Sequence, residues 1–163
     1  MKYLSGAEKK QAMYWIDEAA KIAKDYALCY RSKCGSIIVN DKKPGPIGIG
    51  FNAPPDKKPL ETCIKDSLPK NFKSERHCCV HAEQMAIMDA LERRPEDIVG
   101  STLYFIRLDA NGNKTFAGKP YCTICSKMAL RAKIAEFVLL HKKGVCVYST
   151  EEYNKLSFQF KGD

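Results

Sequence analysis

No apolar stretch in the chain approaches the roughly 18 residues that a membrane-spanning helix needs, so no segment is predicted to cross a bilayer. A Pro-, Gly- or Ser-rich linker is also missing, and 163 residues suit one domain spanning positions 1–163. Residues 1–11 hold four lysines or glutamates and no apolar core of a secretory leader, which makes a cytoplasmic location the expectation. There is no dense basic run or arginine-rich tail either. The net charge of +8 and pI near 9.0 come mostly from dispersed lysine, as in Lys57-Lys58 and Lys142-Lys143. Charge spread in this way is usually solvated surface. It is compatible with phosphate-bearing substrates or nucleic acid and selects neither.

Cysteine, by contrast, is abundant. Eight cysteines without a leader argue for reduced thiols over a disulfide framework. Two of them stand in Cys122-Thr123-Ile124-Cys125, and upstream lies His81-Ala82-Glu83. Imidazole and thiolate are favoured zinc ligands, and a catalytic zinc keeps three protein ligands and leaves its fourth position to water. His81, Cys122 and Cys125 would supply the three. Such a centre still needs a proton carrier, and Glu83, in the first turn of a helix opened by His81, faces the metal without entering its coordination sphere. A two-residue gap likewise brings both sulfurs to one side of a helix start, where the dipole stabilises thiolate. Taken separately, the first motif occurs by chance and the second also suits a structural zinc knuckle or a redox pair. A redox pair, however, would not need His81 and Glu83, and a closed structural site would use a fourth protein ligand.

The combination of His81-x-Glu83 with Cys122-x-x-Cys125 resembles the zinc-dependent cytidine and deoxycytidylate deaminase superfamily. Residues 50–54, Gly-Phe-Asn-Ala-Pro, look like its substrate-side loop, residues 31–39 like its first strand and residues 101–104 like its third, so the likeness covers most of positions 5–150. One departure is visible: the family proline directly precedes the first cysteine, whereas here Tyr121 separates Pro120 from Cys122. The resemblance implies a zinc-dependent hydrolytic deaminase of a cytosine-type base in a nucleoside or nucleotide, with Glu83 catalytic and Asn52 and Ala82 contacting substrate. For Asn52 the competing role is to stabilise its own Pro-rich turn. The resemblance further implies a homo-oligomer whose neighbouring subunits complete the pocket. Deoxycytidylate deaminases often carry a second, structural zinc in the segment before the histidine, and Cys63, His77 and Cys78 are the candidates here; burial as small hydrophobes is the alternative for such cysteines. Other functions stay open at this stage: a nucleic-acid deaminase acting on tRNA adenosine or single-strand cytosine, a guanine deaminase, or a non-catalytic zinc module.

Element patterning is consistent with this class. Ser5-Gly6-Ala7-Glu8 reads as a capping box, and Ala12, Ile16, Ala19, Ala23, Ala27 and Tyr30 mark the apolar face of a long first helix. Strands are predicted at 35–39 and 47–51, joined as a hairpin, then at 102–108, 136–140 and 145–148. Helices are predicted at 81–94, with Met85, Ile87, Met88 and Leu91 inward, at 122–133, and at 150–156 with Phe158 and Phe160 beyond it as core or interface. The fold class is therefore α/β, a three-layer α-β-α cytidine-deaminase-like fold with a five-stranded mixed sheet. Only four residues, 141–144, join the last two strands, too few for a parallel crossover, so that pair is predicted antiparallel. Within the superfamily this arrangement resembles the deaminases of free nucleosides.

Overall fold

The computed structural model describes residues 1–69 and 78–160. In chain order the elements are β1 (Lys2–Tyr3), α1 (Gly6–Tyr26), β2 (Lys33–Val39), β3 (Pro46–Phe51), α2 (Ala82–Arg93), β4 (Thr102–Leu108), β5 (Lys114–Thr115), α3 (Thr123–Arg131), β6 (Glu136–His141), β7 (Gly144–Ser149) and α4 (Thr150–Gln159). The sheet runs β1-β7-β6-β4-β2-β3, with β5 appended to β4. It has seven strands where five were expected, because two-residue β1 and β5 pair at its margins. The class itself holds. β4 and β6 are parallel across the α3 crossover, and β2–β3, β2–β4 and β6–β7 are antiparallel, as the short last connection requires.

Strand alternation sorts side chains onto two faces. Ile37, Val39, Tyr104, Ile106 and Leu108 point to α1 and meet Ala12, Ile16, Ala19 and Ala23. Ile38, Leu103, Phe105, Phe137 and Leu139 point the other way, against Ala86, Ile87 and Ala90 of α2 and Ala129 of α3. Helices approach the sheet closely where the sequence is stripped of bulk. A Cβ on Gly35 would lie 2.0 Å from the Ala19 carbonyl oxygen, and one on Gly50 would lie 2.1 Å from that of Ala82. Gly48 repeats the pattern against Ala86, so α2 lies on β3 through an Ala-Gly seam.

Three helix expectations need correction. α1 ends at Tyr26, and Tyr30 lies beyond it and is exposed. Ser5 occupies the N-cap but makes no side-chain cap bond, while Glu8 pairs with Lys2 at 2.9 Å. In α2 the buried face is Ala82, Glu83, Ala86, Ile87 and Ala90. Met88 and Leu91 are 47% and 45% exposed, since the close glycine seam admits alanine rather than large side chains.

Candidate metal and catalytic site

Two β-α junctions build the site. His81 is the N-cap of α2, and its backbone N–H donates to the Gln84 Oε1 at 3.0 Å, which fixes the first turn. Upstream, Val80 and Ala53 exchange backbone hydrogen bonds of 2.8 and 3.3 Å, tying the approach to His81 to the end of β3. Cys122 is the N-cap of α3, its sulfur accepting from the Cys125 N–H at 3.3 Å. Behind it Ser126 Oγ donates to Asn154 Oδ1 at 2.8 Å, bracing the ligand helix on α4.

Among the described residues, His81, Cys122 and Cys125 form the one group of three that could hold a metal ion. Nδ1 of His81 lies 3.4 Å from Cys122 Sγ and 3.3 Å from Cys125 Sγ, and the two sulfurs are 3.0 Å apart. A tetrahedral zinc with one nitrogen and two sulfur ligands spaces these atoms about 3.5–3.8 Å apart, slightly wider at the imidazole and about 0.8 Å wider between the sulfurs. The donor set fits. Bonding to Cys125 and His81 holds the Cys122 sulfur as a thiolate far below the usual thiol range, and the same hydrogen bond, with burial, pushes Cys125 upward. One negative charge is thus stabilised and a second resisted, which is the balance that a dication between the sulfurs resolves.

Glu83 is 5% exposed, and burial raises its carboxyl to about 7 against the opposing pull of His81. Burial lowers the His81 pKa, but the Cys122 hydrogen bond and the Glu83 charge outweigh it and the net shift is upward. Both groups line a cavity of about 520 Å³ together with Asn52, Ala82, Tyr121, Phe105 and Arg107, a size suited to a small ligand.

Asn52 is spoken for by the backbone. Its Oδ1 accepts from Cys34 N–H at 2.7 Å and its Nδ2 donates to Ser32 O at 2.8 Å, so the side chain braces the start of β2 while edging the cavity. Cys63 and Cys78 bring their sulfurs to 3.5 Å, and Cys78 lies 4.0 Å from Cys79; His77 is outside the described residues. Tyr121 stands on the cavity wall with its ring 5.7 Å from that of Phe160, so the residue separating Pro120 from Cys122 forms an aromatic edge to the site.

Sequence reasoning missed Arg107. Leu103 and Phe105 face the α2 side of β4, and Arg107 is the next position on that face, where it leaves the core and enters the cavity. An arginine interrupting the inward apolar alternation of a strand was the available signal.

Residues 9–141 match the family described as the cytidine and deoxycytidylate deaminase zinc-binding region. None of the curated proteins matches the chain. Among solved structures, the fold is similar to dCMP deaminase from the cyanophage S-TIM5 in complex with dCMP and dUMP, at TM-score 0.53 and 22% identity, covering 82% of each chain. It is also similar to cytidine deaminase from Burkholderia pseudomallei, at TM-score 0.56 and 16% identity, covering 86% of this chain and 94% of the other.

Proposed function

The chain belongs to the cytidine and deoxycytidylate deaminase zinc-binding family, and from that premise we propose that it is a hydrolytic deaminase of a cytosine-type base carried on a nucleoside or nucleotide. The observation that carries this reading is the Glu83 carboxyl, buried in the cavity wall beside the His81, Cys122 and Cys125 cluster. A zinc ion held by those three residues would supply the Lewis acidity that makes water a nucleophile near neutral pH. Glu83 takes a proton from the attacking water as oxygen bonds to C4 of the ring, and delivers it to N3. It then relays the second proton to the exocyclic nitrogen, the C4–N bond breaks, and ammonia leaves a uracil-type product. Ala82 and Tyr121 shape the wall around the base, and Asn52 presents its edge there.

Ammonia release should be measured on cytosine, cytidine, deoxycytidine, deoxycytidylate, guanine, adenosine and oligonucleotides. Turnover of cytosine compounds supports the reading. Turnover of guanine, adenosine or oligonucleotides alone, or of nothing, overturns it.

The reading extends to assembly, location and metal content. Exposed Met88 and Leu91 on α2 supply apolar surface for a homo-oligomer, and sedimentation as a monomer would contradict it. No helix among the described residues is long and apolar enough to cross a membrane, and eight free cysteines fit the reducing cytoplasm. A second, structural zinc on Cys63, His77 and Cys78 would give two zinc ions per chain, and metal analysis finding one removes it.

A further inference from the structure

We propose that Arg107 forms an anion subsite at the outer end of the cavity and selects the 5′-monophosphate of a cytosine nucleoside over the free nucleoside. This rests on the deaminase reading and goes beyond it, because the antiparallel β6–β7 pair resembles the arrangement in deaminases of free nucleosides.

Charge distribution in the cavity supports the assignment. Three cations line it, Arg31, Lys65 and Arg107, against two acids, Glu83 and Asp109. Each acid is already committed. Glu83 lies in the cavity wall beside the metal ligands, and Asp109 accepts hydrogen bonds at 2.9 and 2.8 Å from the backbone N–H groups of Asn111 and Asn113 in its own turn. Arg31 is likewise engaged, donating to Asp66 at 2.9 Å. Arg107 differs: among the described residues it has no ion-pair partner, and its side chain donates from Nε to the neutral Thr115 hydroxyl at 3.3 Å. That bond anchors the inner nitrogen of a side chain that is exposed and lines the cavity. A planar, permanently charged fork held in this way matches the oxygens of a phosphate.

The position on the strand adds a second argument. β4 runs from the buried core outward, with Leu103, Phe105 and Arg107 on one face. Cys34, the register partner of Arg107 on β2, lines the same cavity, and its backbone N–H is held by Asn52. The subsite is thus braced by two strands and one side-chain bridge. A cavity of about 520 Å³ exceeds what a nucleobase alone fills, leaving room for sugar and phosphate between the metal ligands and Arg107.

The test compares cytidine and deoxycytidine with their 5′-monophosphates in zinc-loaded protein, for wild type, Arg107→Gln and Arg107→Lys. Wild type should favour the monophosphates in kcat/KM by roughly 10–100-fold, and Arg107→Gln should remove that preference by raising KM for the monophosphates far more than for the nucleosides. Arg107→Lys should restore part of it. Calorimetry gives a readout independent of turnover: uridine 5′-monophosphate should bind wild type more tightly than uridine does, and Arg107→Gln should level the two. Equal kcat/KM for nucleoside and monophosphate, loss on both substrates alike in Arg107→Gln, or preference for a cytosine oligonucleotide would each overturn the subsite. If no cytosine compound is deaminated, the deaminase reading falls, and calorimetry still decides whether Arg107 binds phosphate.

Discussion

Two residues with comparable burial do different work, and substitution separates them. Glu83 is isosterically replaced in Glu83→Gln, which keeps volume and removes the carboxyl proposed to carry the proton. Deamination should fall by roughly 10²–10⁴-fold with zinc content unchanged, as measured by ammonia release and metal analysis on the same sample. Asn52→Ala instead leaves the Cys34 N–H and the Ser32 carbonyl without their partner. It should cost about 1–3 kcal/mol in unfolding free energy, read from urea denaturation. The convergence of His81, Cys122 and Cys125, with Glu83 close by, was legible because it is written in short spacings within one helix turn. The bracing role of Asn52 was not, since its partners lie 18 and 20 residues upstream and come near only when β2 pairs with β3.

At the level of elements, α2 is placed by what β3 lacks. Gly50 lets the Ala82 carbonyl sit where a Cβ would clash at 2.1 Å, with Ala86 N at 2.4 Å, and both are backbone atoms that cannot swing aside. Gly50→Ala should therefore push away the N-terminal turn that holds His81 and Glu83, costing about 1–3 kcal/mol and lowering zinc occupancy together. Gly118→Ala, with no atom near its Cβ position, is the control and should change neither. Strand positions and the hairpin were legible from alternation and from turn residues in positions 41–46. The inward face of α2 was not: Met88 and Leu91 are the larger apolar groups, but the seam against Gly48 and Gly50 excludes them and buries alanines. Likewise β1 is a two-residue pairing made by a strand distant in sequence, and β5 is a two-residue arm folded back on β4 across the turn at positions 109–113; both are too short to carry a periodicity that could be read.

Across the whole molecule, the two ligand arms come from separate helices, His81 standing 41 and 44 residues before Cys122 and Cys125, and they are joined at the site by contacts among three side chains. The remaining ties between α2 and α3 are few, one being the Gln84 amide against the Met128 sulfur at 3.6 Å. Behind α3 stands α4, held by Ser126 to Asn154 and by the stacked rings of Phe137 and Tyr153 at 4.1 Å. The opposite layer, α1 on β2 and β4, has its own apolar cluster and shares no ligand with the site. Ion binding to the folded state alone stabilises it by mass action, about 4 kcal/mol when free zinc is 1,000 times its dissociation constant. Chelation should therefore lower the melting temperature, and the loss should be uneven. Amide exchange should rise at the first turns of α2 and α3 and along α4, while Ala12 to Ala23 of α1 and Ile37 to Val39 of β2 keep their protection. Uniform acceleration across both layers would show that the metal secures the entire fold, and no change at α2 would show that His81 is held by protein contacts alone. The uneven pattern follows from topology, because β4 lies between the two clusters and feeds side chains to both, leaving the α1 layer packed when the arms separate.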